Sequence, residues 1–190
     1  GGEARQLTRV KAGIDDYAWA PDGKRMAFVA DDEEPEAPKD SRDKEKPKPP
    51  IVTTRYQFKE DGRDYLTSRR QHLYLFDIDS GKVTLLTPGG FDEWLPSWSP
   101  DGTRVVFERC CENGTSDLFT VDVTTRAEVS VTASTSSQEF DPSWSPDGTR
   151  IAYDAFEVGQ GNIDIWVVNA DGSSPLRLTQ QAGPDLSPDW

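Results

Sequence analysis

A five-residue phrase recurs at a fixed interval and limits what this chain can become. Trp98-Ser99-Pro100-Asp101-Gly102 returns as Trp144-Ser145-Pro146-Asp147-Gly148, and an earlier copy, Trp19-Ala20-Pro21-Asp22-Gly23, differs only by alanine for serine. Proline pre-sets φ at the second position of a type I turn, serine suits the first position and glycine closes the fourth. After each turn come a basic residue and an apolar run: Arg25-Met26-Ala27-Phe28, Arg104-Val105-Val106-Phe107 and Arg150-Ile151-Ala152-Tyr153. Each copy reads as the first hairpin of a repeated β unit.

Trp98, Trp144 and Trp190 stand 46 residues apart, as do Pro96, Pro142 and Pro188. Trp19 lies 79 residues before Trp98, one period plus 33, so an insertion is expected there. A threonine ends each unit at Thr8, Thr87, Thr132 and Thr179, and the next Trp follows 11, 11, 12 and 11 residues later. Periods of this size belong to propellers or solenoids, and four β-branched or aromatic strands per period favour the propeller. The expected fold is all-β: four-stranded antiparallel blades, about three of them full. The boundaries read as 3–8 for the last strand of a preceding blade, 15–87 for a blade with a charged insertion at 31–70, 92–132 and 138–179 for two further blades, and 184–190 for the first strand of the next. Three blades cannot close a ring, since propellers carry four to eight. The chain is therefore expected to be a piece of a longer protein, with open blade edges available for self-association.

The insertion has two parts. From Asp31 to Pro50 charged residues alternate with Pro35, Pro38, Pro47, Pro49 and Pro50. Such a segment buries too little apolar area to offset its ordering entropy, and reads as a mobile surface loop. From Ile51 to Tyr65 a strand (51–58) and a turn at Asp61-Gly62 are expected. Here Arg55, Tyr56, Arg63 and Tyr65 combine fixed-charge donors with amphipathic rings, the residue types enriched at contact hot spots. They are the candidate contacts to substrate or to another domain, set against the plainer reading that Tyr56 and Tyr65 pin the insertion to its own blade.

Other chemistry is excluded or explained locally. The net charge of −13 argues against nucleic acid, which needs clustered Lys and Arg. No apolar run approaches the roughly 18 residues of a membrane span. No signal peptide is visible, and the expected compartment is cytoplasmic or periplasmic. Neighbouring Cys110 and Cys111 have Cα atoms about 3.8 Å apart, poor geometry for a disulfide, and read as strand-end thiols. Asp22, Asp101 and Asp147 are explained by their turns, and Asp77-Ile78-Asp79-Ser80-Gly81 lacks the later Glu of a calcium loop. No metal or cofactor is expected. A Gly-x-Ser-x-Gly nucleophile elbow is absent and the lone His72 begins a strand, so no catalytic residue is assigned.

Trp-Ser-Pro-Asp-Gly-Thr-Arg followed by an apolar strand resembles the propeller repeat shared by the Tol-system protein TolB and the N-terminal domains of prolyl-oligopeptidase-family serine peptidases. The stretch from Pro50 to Gly62, with Tyr65-Leu66 and Arg69-Arg70-Gln71-His72-Leu73-Tyr74, resembles the acylaminoacyl- and dipeptidyl-aminopeptidase branch. The resemblance implies that an α/β-hydrolase domain carrying Ser, Asp and His follows the propeller, which gates or selects peptide substrates and is not itself catalytic. The alternative it leaves open is a TolB-like protein–protein interaction propeller.

Overall fold

The computed structural model describes residues 3, 6–32, 59–60, 64–65, 70–110 and 115–190, with backbone alone for 59–60 and 64–65. No helix occurs among them. In chain order the strands are β1 (Asp16–Trp19), β2 (Arg25–Asp31), β3 (Lys59–Glu60), β4 (Asp64–Tyr65), β5 (Gln71–Asp77), β6 (Val83–Leu85) and β7 (Asp92–Trp98). They continue as β8 (Arg104–Cys110), β9 (Ser116–Asp122), β10 (Glu128–Ser130), β11 (Ser137–Trp144), β12 (Arg150–Glu157), β13 (Ile163–Asn169) and β14 (Leu176–Arg177). Three four-stranded sheets result, ordered β1-β2-β5-β6, β7-β8-β9-β10 and β11-β12-β13-β14, with every pairing antiparallel. These are the four-stranded blades of a partial propeller.

The excursion between β2 and β5 leaves the first sheet intact, because Asp31 and Gln71 are register partners. The chain departs at one strand end and returns beside it. Within the excursion, β3 pairs with β4 through Lys59↔Tyr65 and Glu60↔Asp64. The strand expected over 51–58 and the loop expected to Pro50 lie outside the described residues, apart from Asp31 and Asp32. Leu7, Thr8 and residues 184–190 enter no strand ladder among the described residues.

The recurrent turn does what its chemistry requires. Gly102 N–H donates to Ser99 O and Gly148 N–H to Ser145 O, both at 2.9 Å, with the glycines at φ 66° and 70°. Ser99 Oγ accepts the Arg104 amide (2.9 Å) and is bonded to Asp101 Oδ1 (2.7 Å), which also accepts the Thr103 amide. The serine hydroxyl hydrogen bond and the amide keep the Asp101 carboxyl below its usual pKa, and the equivalent set around Asp147 brings it to about 2. The aspartates of the phrase are thus turn ligands.

The basic residue after each turn ties one sheet to the next. Arg25 lies over the Trp98 ring at 5.2 Å and donates to Gly102 O at 2.9 Å. Arg104 covers Trp144 at 4.8 Å, and Arg150 covers Trp190 at 5.2 Å. Trp98 and Trp144 are both buried in equivalent places. Their indole N–H groups differ: Trp98 Nε1 donates to Ala18 O, whereas Trp144 Nε1 has no partner among the described residues.

Apolar side chains fill the spaces between sheets. Ala27, Val29 and Leu73 of the first sheet meet Val105, Phe107 and Val121 of the second. Val106 and Leu118 meet Ile151, Tyr153 and Val168 across the next gap. A third cluster, Met26, Phe28, Ala30 and Phe76, lies on the outer face of the first sheet under Val10 and Ile14. Trp94 and Trp166, outside the repeat register, pack against the first and second of these clusters. Both faces of the middle sheet are buried, so the successive residues Val105, Val106 and Phe107 of β8 are all apolar.

The threonine that ends each unit has a repeated task. Thr87 Oγ1 accepts the Leu73 amide (3.0 Å) and donates to Glu93 Oε2 (3.1 Å). Thr132 Oγ1 accepts the Leu118 amide (2.8 Å) and donates to Glu139 Oε2 (3.3 Å). Thr179 Oγ1 accepts the Ile165 amide (2.9 Å). At the first of these junctions His72 Nδ1 is 2.8 Å from Glu93 Oε2, and Arg109 donates through Nε to Glu93 Oε1 (3.0 Å) and through Nη1 to Glu128 (2.6 Å). Burial opposes charge on His72, but Glu93, Asp32 and Asp92 outweigh it and its pKa is raised. The lone histidine is therefore a junction residue.

Candidate functional site

The first strands of the three sheets, β1, β7 and β11, lie side by side. Two of them carry the same irregularity. The ladder of β7 shifts register between Trp94 and Ser97, and that of β11 between Phe140 and Ser143. At the shifts Leu95 and Asp141 take φ of 52° and 47°, and Ser187, 46 residues on, takes 55°. Each precedes a proline. Left-handed φ in a residue with a Cβ costs of order 1–3 kcal/mol and persists only where its surroundings enforce it. Such bulges re-aim side chains, and they cluster near functional sites.

These positions converge. Asp16, at the same offset before Trp19 as Leu95 is before Trp98, lines one pocket with Leu95, Pro96, Asp141, Pro142, Ser143, Ser187 and Pro188. Its volume is about 220 Å³ and its lining contains no Lys or Arg. Ser187 Oγ donates to Asp141 Oδ2 at 3.0 Å. Burial, and then the charge of Asp141, raise the pKa of Asp16 against the amides of Tyr17 and Leu95.

Two buried acids stand behind this lining. Glu108 on β8 is 5% exposed and accepts from Ser116 Oγ at 2.7 Å. Burial, aided by the charges of Asp141 and Asp154, raises its pKa to about 7. Asp154 on β12 is 2% exposed, and its Oδ1 has no partner among the described residues. Burial and Asp141 raise its pKa to about 6. Asp141 thus acts on three other carboxyls at once. The arrangement can hold polar or cationic groups of a ligand between prolines; its one hydroxyl–carboxylate contact, Ser187 to Asp141, has no histidine beside it in the lining. No group of three or more His, Cys, Asp or Glu suited to a metal occurs among the described residues.

Of the residues singled out from sequence, Arg55, Tyr56 and Arg63 lie outside the described residues. Tyr65 is placed on β4 by its backbone alone, opposite Lys59. Asp16, Leu95, Asp141 and Ser187 were missed. The available signal was the residue before each recurrent proline, read together with the same offset from Trp19.

Comparison with known proteins agrees with the architecture. The TolB beta propeller domain family matches residues 53–190. Among curated relatives, the uncharacterized peptidase YuxL of Bacillus subtilis is 32% identical over 108 residues, covering 56% of this chain and 16% of its own length. The Tol-Pal system protein TolB of Anaeromyxobacter dehalogenans is 34% identical over 115 residues, covering 60% of this chain and 25% of its own. This chain therefore spans a quarter or less of either relative. Among solved structures, TolB from Agrobacterium tumefaciens superposes with a TM-score of 0.66 at 21% identity, covering 95% of this chain and 52% of that one. Pyrococcus horikoshii acylaminoacyl peptidase gives 0.54 at 12% identity, covering 87% and 25%. The repeats, the sheets and the match over residues 53–190 agree that the chain belongs to the TolB beta propeller domain family.

Proposed function

We propose that this chain is the non-catalytic propeller portion of a serine peptidase, gating or selecting peptide substrates for an α/β-hydrolase domain of the same parent. The observation that supports it best is the inner-strand pocket. Residues from four successive repeats line one acidic, proline-walled space, whose hydroxyls, Ser143 and Ser187, have no histidine beside them in the lining. Likeness to a peptidase of Bacillus subtilis points the same way. In this reading Arg55, Tyr56, Arg63 and Tyr65 face the hydrolase domain or the substrate passage.

The test is made in the full-length protein. Asp141→Asn is expected to change kcat/KM for peptides with basic residues while leaving turnover of a small ester unchanged. Equal turnover of both substrate classes in wild type and variant removes the pocket from substrate selection. Arg55→Ala and Arg63→Ala test the insertion, and unchanged peptide turnover with unchanged domain association removes it too.

The likeness to Tol-Pal system TolB supports a second reading, an interaction propeller without a hydrolase partner. The reading frame beyond Trp190 separates the two. An α/β-hydrolase with Gly-x-Ser-x-Gly supports the peptidase, and a stop after a closing blade supports the interaction module. The described residues hold no helix long and apolar enough to cross a membrane. Self-association through open blade edges is tested by sedimentation of this chain at increasing concentration.

A further inference from the structure

One buried side chain joins the first two sheets at the place where the excursion leaves and returns. His72, at the start of β5, is buried. Its Nδ1 lies 2.8 Å from Glu93 Oε2 on β7, and its Nε2 lies 3.4 Å from Asp32 Oδ1, one residue past the end of β2. A neutral imidazole has a single N–H, so one of the two carboxylates would then face a ring lone pair. Only the imidazolium presents an N–H to both.

The two contacts are unequal. Glu93 is buried, and the ring holds its oxygens together with Thr87 Oγ1 and Arg109 Nε. Withdrawing the ring N–H there would leave a buried oxygen short of a donor. The side chain of Asp32 is 39% exposed and exchanges a lost partner for water. A ring with one proton therefore keeps it on Nδ1. Other charged groups around the ring have partners of their own. Asp92 accepts from Arg70 Nη1 and from the Gln71 amide, both at 3.0 Å. Arg109 is shared by Glu93 and Glu128, and Asp15 accepts from the Gln71 side chain. Asp31, at the end of β2, is the register partner of Gln71 and not of His72. Burial lowers the proton affinity of the ring, and Glu93, Asp32 and Asp92 raise it by more.

We propose that His72 is a proton-dependent latch between the departing end of the excursion and the second sheet: doubly protonated, the ring ties Asp32 to Glu93, and singly protonated it keeps Glu93 and lets Asp32 go. The folded chain binds the second ring proton more tightly than the unfolded chain does. The link is therefore complete below the ordinary histidine value of 6.5 and is lost as pH rises through the raised value.

Nitrogen NMR of the imidazole in the intact protein from pH 5 to 9 tests this, because the sequence holds a single histidine. Both ring nitrogens are expected to carry protons below the transition, and Nε2 alone to lose its proton above it. The opposite tautomer, a mixture of the two, or a transition at or below pH 6.5 overturns the proposal. Asp32→Asn, at a partly exposed position, is expected to weaken proton binding at His72 about threefold or more and to keep the Nδ1–H tautomer. Amide exchange, corrected for intrinsic rates, reads the release itself. The Asp32 amide donates to Arg70 O at 2.9 Å, and its protection is expected to fall about threefold or more through the His72 transition. That fall is expected to vanish in Asp32→Asn, where Glu108 on the far side of the middle sheet still titrates. No fall in the wild type, or a fall that survives in the variant, overturns the latch.

Discussion

Replacing Glu108 by glutamine tests the reading of the inner acids most directly. Glu108 is buried between the second and third sheets, where it accepts from the Ser116 hydroxyl at 2.7 Å. Burial, with Asp141 and Asp154 nearby, moves its pKa from 4.5 to about 7. The folded state therefore holds a proton that the unfolded chain releases between these values. Stability is complete below pH 4.5 and declines as pH rises, by about 1.4 kcal/mol per unit, to a loss of about 3 kcal/mol above pH 7. Glutamine keeps the shape and the capacity to accept from Ser116, but it has no proton to lose. Glu108→Gln should match the wild type within about 1 kcal/mol at pH 4.5 and exceed it by about 2–3 kcal/mol at pH 8. Urea unfolding of the intact protein across this range, with m checked for constancy, gives the difference directly. A wild-type-minus-variant difference that does not move with pH would refute the argument, because a purely steric effect of the substitution carries no pH slope.

Two further outcomes follow from the junctions. Arg109→Met removes the guanidinium that lies over Phe91, Phe107 and Phe119 and neutralises the 1%-exposed Glu93. It should cost about 3–5 kcal/mol in urea unfolding, since the buried carboxyl keeps only His72 and the Thr87 hydroxyl as partners; a loss under about 1 kcal/mol would contradict the ion-pair reading. Gly172 has φ 84°, and a Cβ there would stand 2.6 Å from the carbonyl oxygen of Val131 in the neighbouring sheet. Gly172→Ala should lower stability clearly more than Gly161→Ala, where φ is 69° but the space is open and only about 1 kcal/mol of strain is expected. Equal losses in thermal unfolding would show that the sheets do not meet as closely as described.

The turn phrase, the unit length, the excursion and the terminal threonine were legible because each rests on local chemistry that repeats. Pro100 and Gly102 fix a turn whatever surrounds them, and Thr87 and Thr132 satisfy the same amide in successive units. The inner pocket was not legible for the opposite reason. Leucine is a poor candidate for left-handed φ, so nothing in the letter at 95 announces the bulge, which the ladder on either side imposes. Burial of Glu108, on β8 of the middle sheet, was hidden as well. In a strand with one wet face an acid marks the solvent side, but here both faces of the middle sheet are covered, and the alternation loses that meaning. His72 read only as the start of a strand, and its distance to Glu93 is what places it at the junction.

One position shows how a repeat with fixed geometry acquires local chemistry. Counting from each recurrent Trp, the same place on the second strand of successive sheets is filled by Val29, Glu108 and Asp154. All three are buried. Val29 joins the apolar cluster between the first two sheets, and that junction draws its polar specificity from Glu93, His72 and Arg109 near the strand ends. Glu108 and Asp154 instead bring carboxyls up to Asp141, at the edge of the pocket. The backbone pays nothing for the exchange, since pairing is unchanged on both sides of each residue. What changes is the coupling between blade packing and the charge at the pocket. A ligand cation near Asp141 would favour ionisation of Glu108 and Asp154, and at Glu108 would offset part of the cost that neutral pH imposes on the joint between the second and third sheets. Ligand binding at the inner strands and closure of the second and third sheets are then expected to strengthen each other more at pH 8 than at pH 5.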